Sequence, residues 1–334
     1  MVYLEELLRL FFKAETPWLS GTFLAQQLGV SRVSIGNFIA QLHDLGFKFV
    51  AVRGKGYQMI KEPSTIQEHW LKVHLDSLLD RNLPLWVFPE IDSTNQEAER
   101  QFANGRRGPF AIIANRQTMG RGRLGSNWES QQDQNLYMTI GWQPRVSPEN
   151  MPQFTLCMAL SIAHFLRNSY QLPIFIKWPN DLMLLDRKVA GILVEARMET
   201  AYIHHLVFGL GLNINGDANN LPKEIRKNSI TVHDFKKNPI PIHPFTASLI
   251  KTLLQSAEHF LDLGLQQDWM NQWDNLDYLQ GKLVTVNQFN EDISGIACGI
   301  TSSGQLKVKT KRGTKILNAG SVRLKKDVLA SHQH

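Results

Sequence analysis

The chain has 334 residues, a formal net charge of +6 and 43% hydrophobic residues. That length calls for two or three domains with real cores, and the mild positive charge permits a polyanionic partner without requiring one. No run approaches the roughly 18 apolar residues of a bilayer span, and Cys157 and Cys298, far apart and in neither CxxC nor zinc spacing, read as free thiols of a reducing cytoplasm.

The first 62 residues form their own unit. Leu4, Leu7, Leu8 and Phe11 recur at helical spacing, and Glu5, Glu6 and Arg9 among them make this an amphipathic helix and no signal peptide. Ser20 can cap a second helix carrying Leu24, Ala25 and Leu28, with Gly29 as the turn. Ser31 can cap a third, with Ile35, Phe38, Ile39 and Leu42. Phe47–Val52 and Tyr57–Ile60 alternate like strands around Arg53-Gly54-Lys55-Gly56. The pattern predicts a winged helix-turn-helix over residues 1–62, its third helix suited to a DNA major groove. Arg32, Ser34 and Asn37 near the start of that helix are candidates for bases or phosphates, and Arg53 and Lys55 for phosphates. Seven Lys/Arg stand against five Asp/Glu here, so one copy should bind weakly and gain from pairing with a second. Gly36 inside the recognition helix costs about 1 kcal/mol against alanine, for no reason visible in the sequence.

Pro63-Ser64-Thr65 marks a boundary, and Glu68–Leu79 reads as a helix. Strand-like and helical runs then alternate: strands at 85–88, 110–114, 135–141, 174–178, 182–185, 189–195 and 203–212, helices near 95–103, 153–170 and 245–262. This is an α/β pattern around a mixed sheet, expected to span 63–270. Residues 271–334 differ. Short strands from Gly281 to Leu324 suggest a small β-barrel, on which Lys307, Lys309, Lys311, Arg312 and Lys315 would form a solvated basic face or attract an acidic carrier. His204-His205 on an alternating strand should point one ring to each face, so no metal is assigned there.

The chemistry concentrates in three runs of the central region. Gln117-Thr118-Met119-Gly120-Arg121-Gly122-Arg123-Leu124-Gly125 follows a strand; its glycines let the backbone approach a ligand, and its arginines offer planar forks for carboxylate and phosphate. Ile174 to Met183 is a strand broken by Trp178-Pro179, followed by an amide and a carboxylate, Asn180 and Asp181. Asp186-Arg187-Lys188 then leads an apolar run through Gly191 to Glu195. Upstream, Asp92-Ser93-Thr94-Asn95 aligns four small polar side chains. Alone, Ser93-Thr94-Asn95 reads as a helix cap and Lys188 as a hairpin-turn lysine.

In this order and at these separations the motifs resemble the biotin–protein ligases, and with the helix-turn-helix the whole chain resembles the bifunctional ligase/repressors among them. The resemblance implies a class II synthetase-like central domain and an SH3-like C-terminal barrel. It implies that biotin and ATP give biotinyl-5′-AMP and pyrophosphate, after which the biotinyl group passes to a lysine of the biotin carboxyl carrier protein of acetyl-CoA carboxylase. Arg121, Arg123 and Lys188 match the family's catalytic cations. Ser93, Thr94, Asn95, Gln117, Gly122 and Gly191 join them in holding biotin, with Ser93, Thr94 and Gln117 suited to its ureido ring. Asn180, Asp181 and Asn213 would serve the nucleotide and its Mg²⁺, with no dedicated metal site. Residues 215–230 would fold over adenine, and Trp128 would pack near the ligand. The resemblance also implies repression of biotin-synthesis genes with biotinyl-AMP as corepressor, operator DNA as partner, a ligand-induced homodimer and a cytoplasmic, membrane-free setting. One departure stands out: members often carry a third arginine where this chain has Ser126-Asn127. A sensor without chemistry and a lipoate ligase on a related fold are the alternatives; the Arg121, Arg123 and Lys188 set argues against the first and the ureido-matching groups against the second.

Overall fold

The computed structural model describes residues 2–130, 133–144, 147–199, 202–264, 266–288, 291–318 and 320–324. The N-terminal unit holds α1 (Val2–Lys13), α2 (Gly21–Leu28), α3 (Arg32–Asp44) and a hairpin of β1 (Lys48–Val52) and β2 (Gly56–Lys61). The caps are where the sequence puts them. Ser20 accepts from the Phe23 N–H, Ser31 from the Ser34 N–H, and Gly29 ends α2 at φ 64°. Leu19 pairs with Tyr57 through two backbone hydrogen bonds of 2.9 and 2.8 Å, docking the wing onto the segment before α2. A Cβ on Gly36 would meet nothing nearer than the Tyr57 hydroxyl at 4.0 Å, so packing does not require glycine there.

The central unit begins with α4 (Glu68–Asp76) and continues through β3 (Leu85–Ile91), α5 (Thr94–Ala103), β4 (Phe110–Gln117), β5 (Leu136–Trp142), α6 (Met151–Tyr170), β6 (Ile174–Lys177), β7 (Asp181–Leu184), β8 (Arg187–Glu199) and β9 (Tyr202–Leu212). Next come two short helices, α7 (Lys223–Arg226) and α8 (Val232–Lys236), then α9 (Ile242–Leu263) and α10 (Gln267–Leu276). The seven strands form one mixed sheet in the order β3-β4-β5-β9-β8-β7-β6, with β3 and β4 parallel and the other neighbours antiparallel. The long apolar helices α6 and α9 cover one face, contributing Phe154, Leu166, Phe245 and Leu253 to the main core. The shorter α5 covers the other with Ala98 and Phe102 against Phe110, Ile112 and Val207.

The C-terminal unit is a five-stranded antiparallel sheet: β10 (Leu283–Gln288), β11 (Glu291–Ile300), β12 (Leu306–Thr310), β13 (Gly313–Leu317) and β14 (Ser321–Leu324), in the order β13-β12-β11-β10-β14. Its core is continuous with the central one, and the Trp178 indole donates to the Gly304 carbonyl at 2.9 Å. The boundary expected at residue 270 falls inside α10, whose Trp273 is fully buried in the common core. Residues 325–334 of the expected barrel domain lie outside the described residues.

One expectation needs correction. The β8–β9 pairing slips between Arg197↔His205 and Met198↔Ile203, leaving His204 as a bulge, so simple alternation ends there. The two Nδ1 atoms approach to 3.0 Å rather than being parted by the sheet, and His205 Nε2 lies 2.9 Å from Glu99. The stretch 215–230 holds α7 and a short 3₁₀ turn.

The N-terminal and central units meet at a buried polar seam. Asn115 on β4 grips the linker, accepting from the Ile66 N–H and donating to the Ile66 carbonyl, while His243 Nε2 accepts from the Gln67 N–H. His74 sits beside them, edge-on to Phe12 of α1 and to Trp70, and stacked on His243. Burial pushes its pKa down to about 4, with Glu62 pulling up and His243 pushing down. An unfolded chain takes up this proton near pH 6.5 while the folded one refuses it, so stability is intact above pH 6.5 and is lost as pH falls toward 4. Glu62, held below its ordinary value by His243 and Trp70 against the opposing effect of burial, acts in the same direction. Urea denaturation is expected to show up to about 3 kcal/mol less stability at pH 4.5 than at pH 7.5, and His74→Leu should remove much of that difference. An equal acid loss in the variant would assign it to other groups.

Candidate active site

A cavity of about 360 Å³ opens at one end of the central sheet. Its lining includes every residue expected from the sequence to hold biotin or perform the reaction, from Ser93, Thr94 and Asn95 through Gln117, Arg121, Gly122 and Arg123 to Lys188 and Gly191, together with Asn180 and Asp181.

One end is polar and uncharged. Ser93 stands at the N-cap position of α5 and is buried, yet its side chain makes no capping bond. The bland reading of Ser93 as a helix cap therefore does not account for its hydroxyl. Thr94 donates through both its N–H and its Oγ1 to Gln117 Oε1, at 2.8 and 3.1 Å, and Gln117 Nε2 donates to Ser130 Oγ at 3.0 Å. Thr139 of β5 reaches Thr94 Oγ1 at 2.8 Å and Asn95 Oδ1 at 2.7 Å. Gln117 and Asn95 are thus braces, their amides already engaged by the protein.

The other end is cationic. Lys188 Nζ lies 2.7 Å from Asp181 Oδ1 and 5.0 Å from the centre of the Trp128 ring. Two local features aim it. A bulge between the β7 pairings of Leu182 and Met183 leaves Val189 as the extra residue in β8. The Lys188 backbone is then locked from outside the hairpin, its N–H donating to the Asn228 carbonyl and its carbonyl accepting from the Ile230 N–H. Arg123 donates to Asn180 Oδ1 at 3.0 Å, and Asn180 donates to the Ile192 carbonyl at 2.8 Å. Burial lowers the Arg123 pKa, and Asp181 opposes that. Arg121 is half-exposed, with Nη1 3.4 Å from Glu195 Oε1.

Lys177 also lines the cavity and was not singled out in the sequence. Burial pushes its pKa below the lysine range; Asp181 draws it back and the Lys188 charge pushes it further down. The sequence signal was only its place before Trp178-Pro179 on a four-residue strand, which does not say which side it faces. None of residues 215–230, expected over adenine, lines the cavity, and neither does Asn213. It is buried, and its amide donates to the Ile230 carbonyl at 3.4 Å. It therefore touches the same segment that locks Lys188. Gly320, Ser321 and Val322 of the barrel complete the wall.

Trp128 closes the floor against two facing glycines. Gly191 and Gly211 pair across β8 and β9. A Cβ on Gly191 would come to 2.8 Å from the indole, and one on Gly211 would overlap it. The Trp128 backbone N–H donates to the Gly120 carbonyl at 2.9 Å, so the main chain that carries the ring is paired with the glycine–arginine loop. In that loop Leu124 adopts φ 54° and is 78% exposed.

In the N-terminal unit Arg32, Asn37, Arg53 and Lys55 are exposed. Ser34 is half-buried, and its hydroxyl lies 2.9 Å from that of Ser31, within the helix cap. Lys55 Nζ stands 5.7 Å from the centre of the Trp18 ring.

Comparison with known proteins follows the same three-part division. Residues 4–58 match a helix-turn-helix domain, 87–213 the biotin/lipoate A/B protein ligase family, and 280–325 the biotin protein ligase C-terminal domain. The chain is 32% identical to the bifunctional ligase/repressor BirA of Escherichia coli over 92% of each chain. It is 26% identical to its namesake in Bacillus subtilis, over 96% of this chain and 98% of that one. A solved biotin protein ligase from Aquifex aeolicus, in complex with biotin and ATP, superposes with a TM-score of 0.63 at 26% identity, covering 73% of this chain and 99% of that one. With this identity along nearly its whole length and the three regions in the same order, the chain belongs to the biotin protein ligases of the bifunctional ligase/repressor type.

Proposed function

We propose that this protein activates biotin with ATP, transfers it to a lysine of a biotin carboxyl carrier protein, and represses biotin-synthesis genes by binding operator DNA. The single observation that carries the enzymatic half is the cavity, where uncharged polar groups at one end face four cations at the other. Biotin has that polarity: a neutral ureido ring and a carboxylate. The second substrate, ATP, is anionic, so two anions must be brought together. Cations placed where charge develops are the main source of acceleration.

In the first step a biotin carboxylate oxygen attacks the α-phosphorus of ATP, and the bond to the β-phosphate oxygen breaks to release pyrophosphate. Lys188 and Arg123 are assigned to the carboxylate and the α-phosphate, and Lys177 joins them as a further cation. Arg121 closes the loop over the acyl tail. In the second step the ε-amine of the acceptor lysine attacks the acyl carbon of biotinyl-AMP, AMP leaves, and the amine loses a proton. Asp181 is assigned to accept that amine's hydrogen bond. It is also the one carboxylate in the lining, with Oδ1 paired to Lys188 Nζ at 2.7 Å. A carboxylate has a second oxygen, and one carboxylate suits Mg²⁺, whose remaining ligands are usually phosphate oxygens and water. The magnesium supplies neutralisation of phosphate charge when bound. Ser93 and Thr94 are assigned to the ureido ring, and Asn213 to positioning the 228–230 segment behind Lys188.

No helix among the described residues is long and apolar enough to cross a membrane, and a cytoplasmic location is proposed because DNA and carrier protein are met together there. Arg32, Asn37, Arg53 and Lys55 are proposed to contact the operator. Pairing of two ligand-bound copies would double a small excess of positive charge and match a palindromic site. Incubation with biotin, ATP and a recombinant biotin carboxyl carrier domain should add one biotinyl group, read by mass spectrometry, and a carrier lacking its acceptor lysine should gain none. An unmodified carrier in both reactions contradicts the ligase reading. In a gel shift with DNA from the biotin-gene promoter, biotin plus ATP should strengthen binding, and an unchanged shift contradicts the repressor reading.

A further inference from the structure

A chain of polar contacts joins the two ends of the cavity. From Gln117 it passes to Thr94, then through Thr139 to Asn95. Asn95 Nδ2 donates to Glu195 Oε2 at 2.8 Å, and Glu195 Oε1 stands 3.4 Å from Arg121 Nη1. The middle of this chain is rigid. Asn95 and Thr139 are buried, and a Cβ on Gly209 would overlap the Asn95 amide, so β9 pins that side chain. The last link is different. Glu195 lies on β8, while Arg121 belongs to a loop with glycine on both sides.

We propose that Glu195 is a positioning residue for biotin binding: it holds Arg121, and with it the glycine–arginine loop, over the cavity before any ligand arrives. The inference rests on the ligase reading of the same site. A loop that contains Gly120, Gly122 and Gly125 has much conformational freedom to lose when it closes on a ligand. A carboxylate on a strand, itself fixed by Asn95, removes part of that freedom in the free enzyme. The effect then appears as ligand affinity, because pre-ordering lowers the cost of binding. It does not appear in the chemical step, since Glu195 does not line the cavity.

Glu195→Gln tests this, because glutamine keeps the size and can still accept from Asn95 while losing the charge that faces Arg121. In biotin-dependent ATP–pyrophosphate exchange the KM for biotin should rise about fivefold, in keeping with a half-exposed ion pair, while kcat stays within about twofold. Tryptic cleavage after Arg121 and Arg123 should be about fivefold faster in the ligand-free variant, and should match wild type under saturating biotin and ATP. Adding Glu195→Gln to Arg121→Gln should raise KM no further, as for two residues acting through one contact. The thermal midpoint, measured alongside, should equal that of wild type, which separates the latch from a general loss of fold. An unchanged KM with unchanged cleavage overturns the proposal. So does a fall in kcat at constant KM, which would place Glu195 in the chemistry. A wild-type enzyme that fails to exchange with biotin sinks the ligase reading instead, and the ligand-free cleavage comparison still decides whether Glu195 holds the loop.

Discussion

Lys188→Ala is expected to lower biotin-dependent ATP–pyrophosphate exchange by at least about a hundredfold, the scale of losing one preorganised charge donor in an acyl- or phosphoryl-transfer site. The expectation follows from how completely the fold is committed to this side chain. The bulge at Val189 redirects the strand, residues 228–230 saturate the Lys188 backbone, and Nζ is left between Asp181 and Trp128 at the centre of the cationic end. Lys188→Arg should recover only part of the rate, because a planar fork does not occupy the position of a compact ammonium. The thermal midpoint of both variants should stay near wild type, since a half-exposed lysine contributes little packing. Exchange within about threefold of wild type in Lys188→Ala would remove Lys188 from the chemistry and leave Lys177 and Arg123 as its cations.

Gly211→Ala is the second large effect expected, from a residue that carries no chemistry. Its Cβ would overlap the Trp128 indole, a rigid ring that also lies against Gly191 and is not the free end of a flexible chain. The ring must move, which disturbs Lys188, whose Nζ stands 5.0 Å from its centre, and the main chain at Trp128 that is paired with Gly120 of the loop. A displacement of about 1 Å at a reacting centre can cost about a hundredfold in rate, and a loss of tenfold or more in exchange is expected. Trp128→Leu placed on Gly211→Ala should restore part of the activity by making room. If the double variant is worse than either single one, the two residues act separately and the steric account fails.

The parts of this site legible in the sequence were those whose chemistry is concentrated in short runs. Arg121 and Arg123 sit among glycines, Asn180 and Asp181 follow Trp178-Pro179, and Lys188 leads into Gly191, so residue type and order alone pointed to one anion-handling site. The winged helix was legible for a similar reason: Ser20, Gly29 and Ser31 are local signals whose effect is complete within one turn of helix. What stayed hidden depends on pairing between distant strands. Thr139 and Glu195 join the site only because β5, β9 and β8 lie side by side in one register, and nothing near either residue announces it. The bulges at Val189 and His204 are likewise properties of two strands and invisible in one. The Gln117 amide reads as a ureido partner and Asn95 as a residue that acts through its backbone or fixes the turn; the partners of these amides, Thr94 and Ser130 for the first and Thr139 and Glu195 for the second, come from other elements. The helix α10 escaped notice because its apolar residues are few, Trp269, Met270, Trp273 and Leu276 among polar neighbours, and its burial is decided by packing against α6 and β6.

The central claim is that the cationic end of the cavity joins the carboxylate of biotin to the α-phosphate of ATP. Biotin-dependent exchange of labelled pyrophosphate into ATP by the purified wild-type protein, with lipoate as the competing acid, tests it most directly. Rapid exchange with biotin and none with lipoate is the predicted result. Absence of exchange with either acid, in a protein that still binds biotin, would contradict the account and leave a ligand-sensing DNA-binding protein without chemistry.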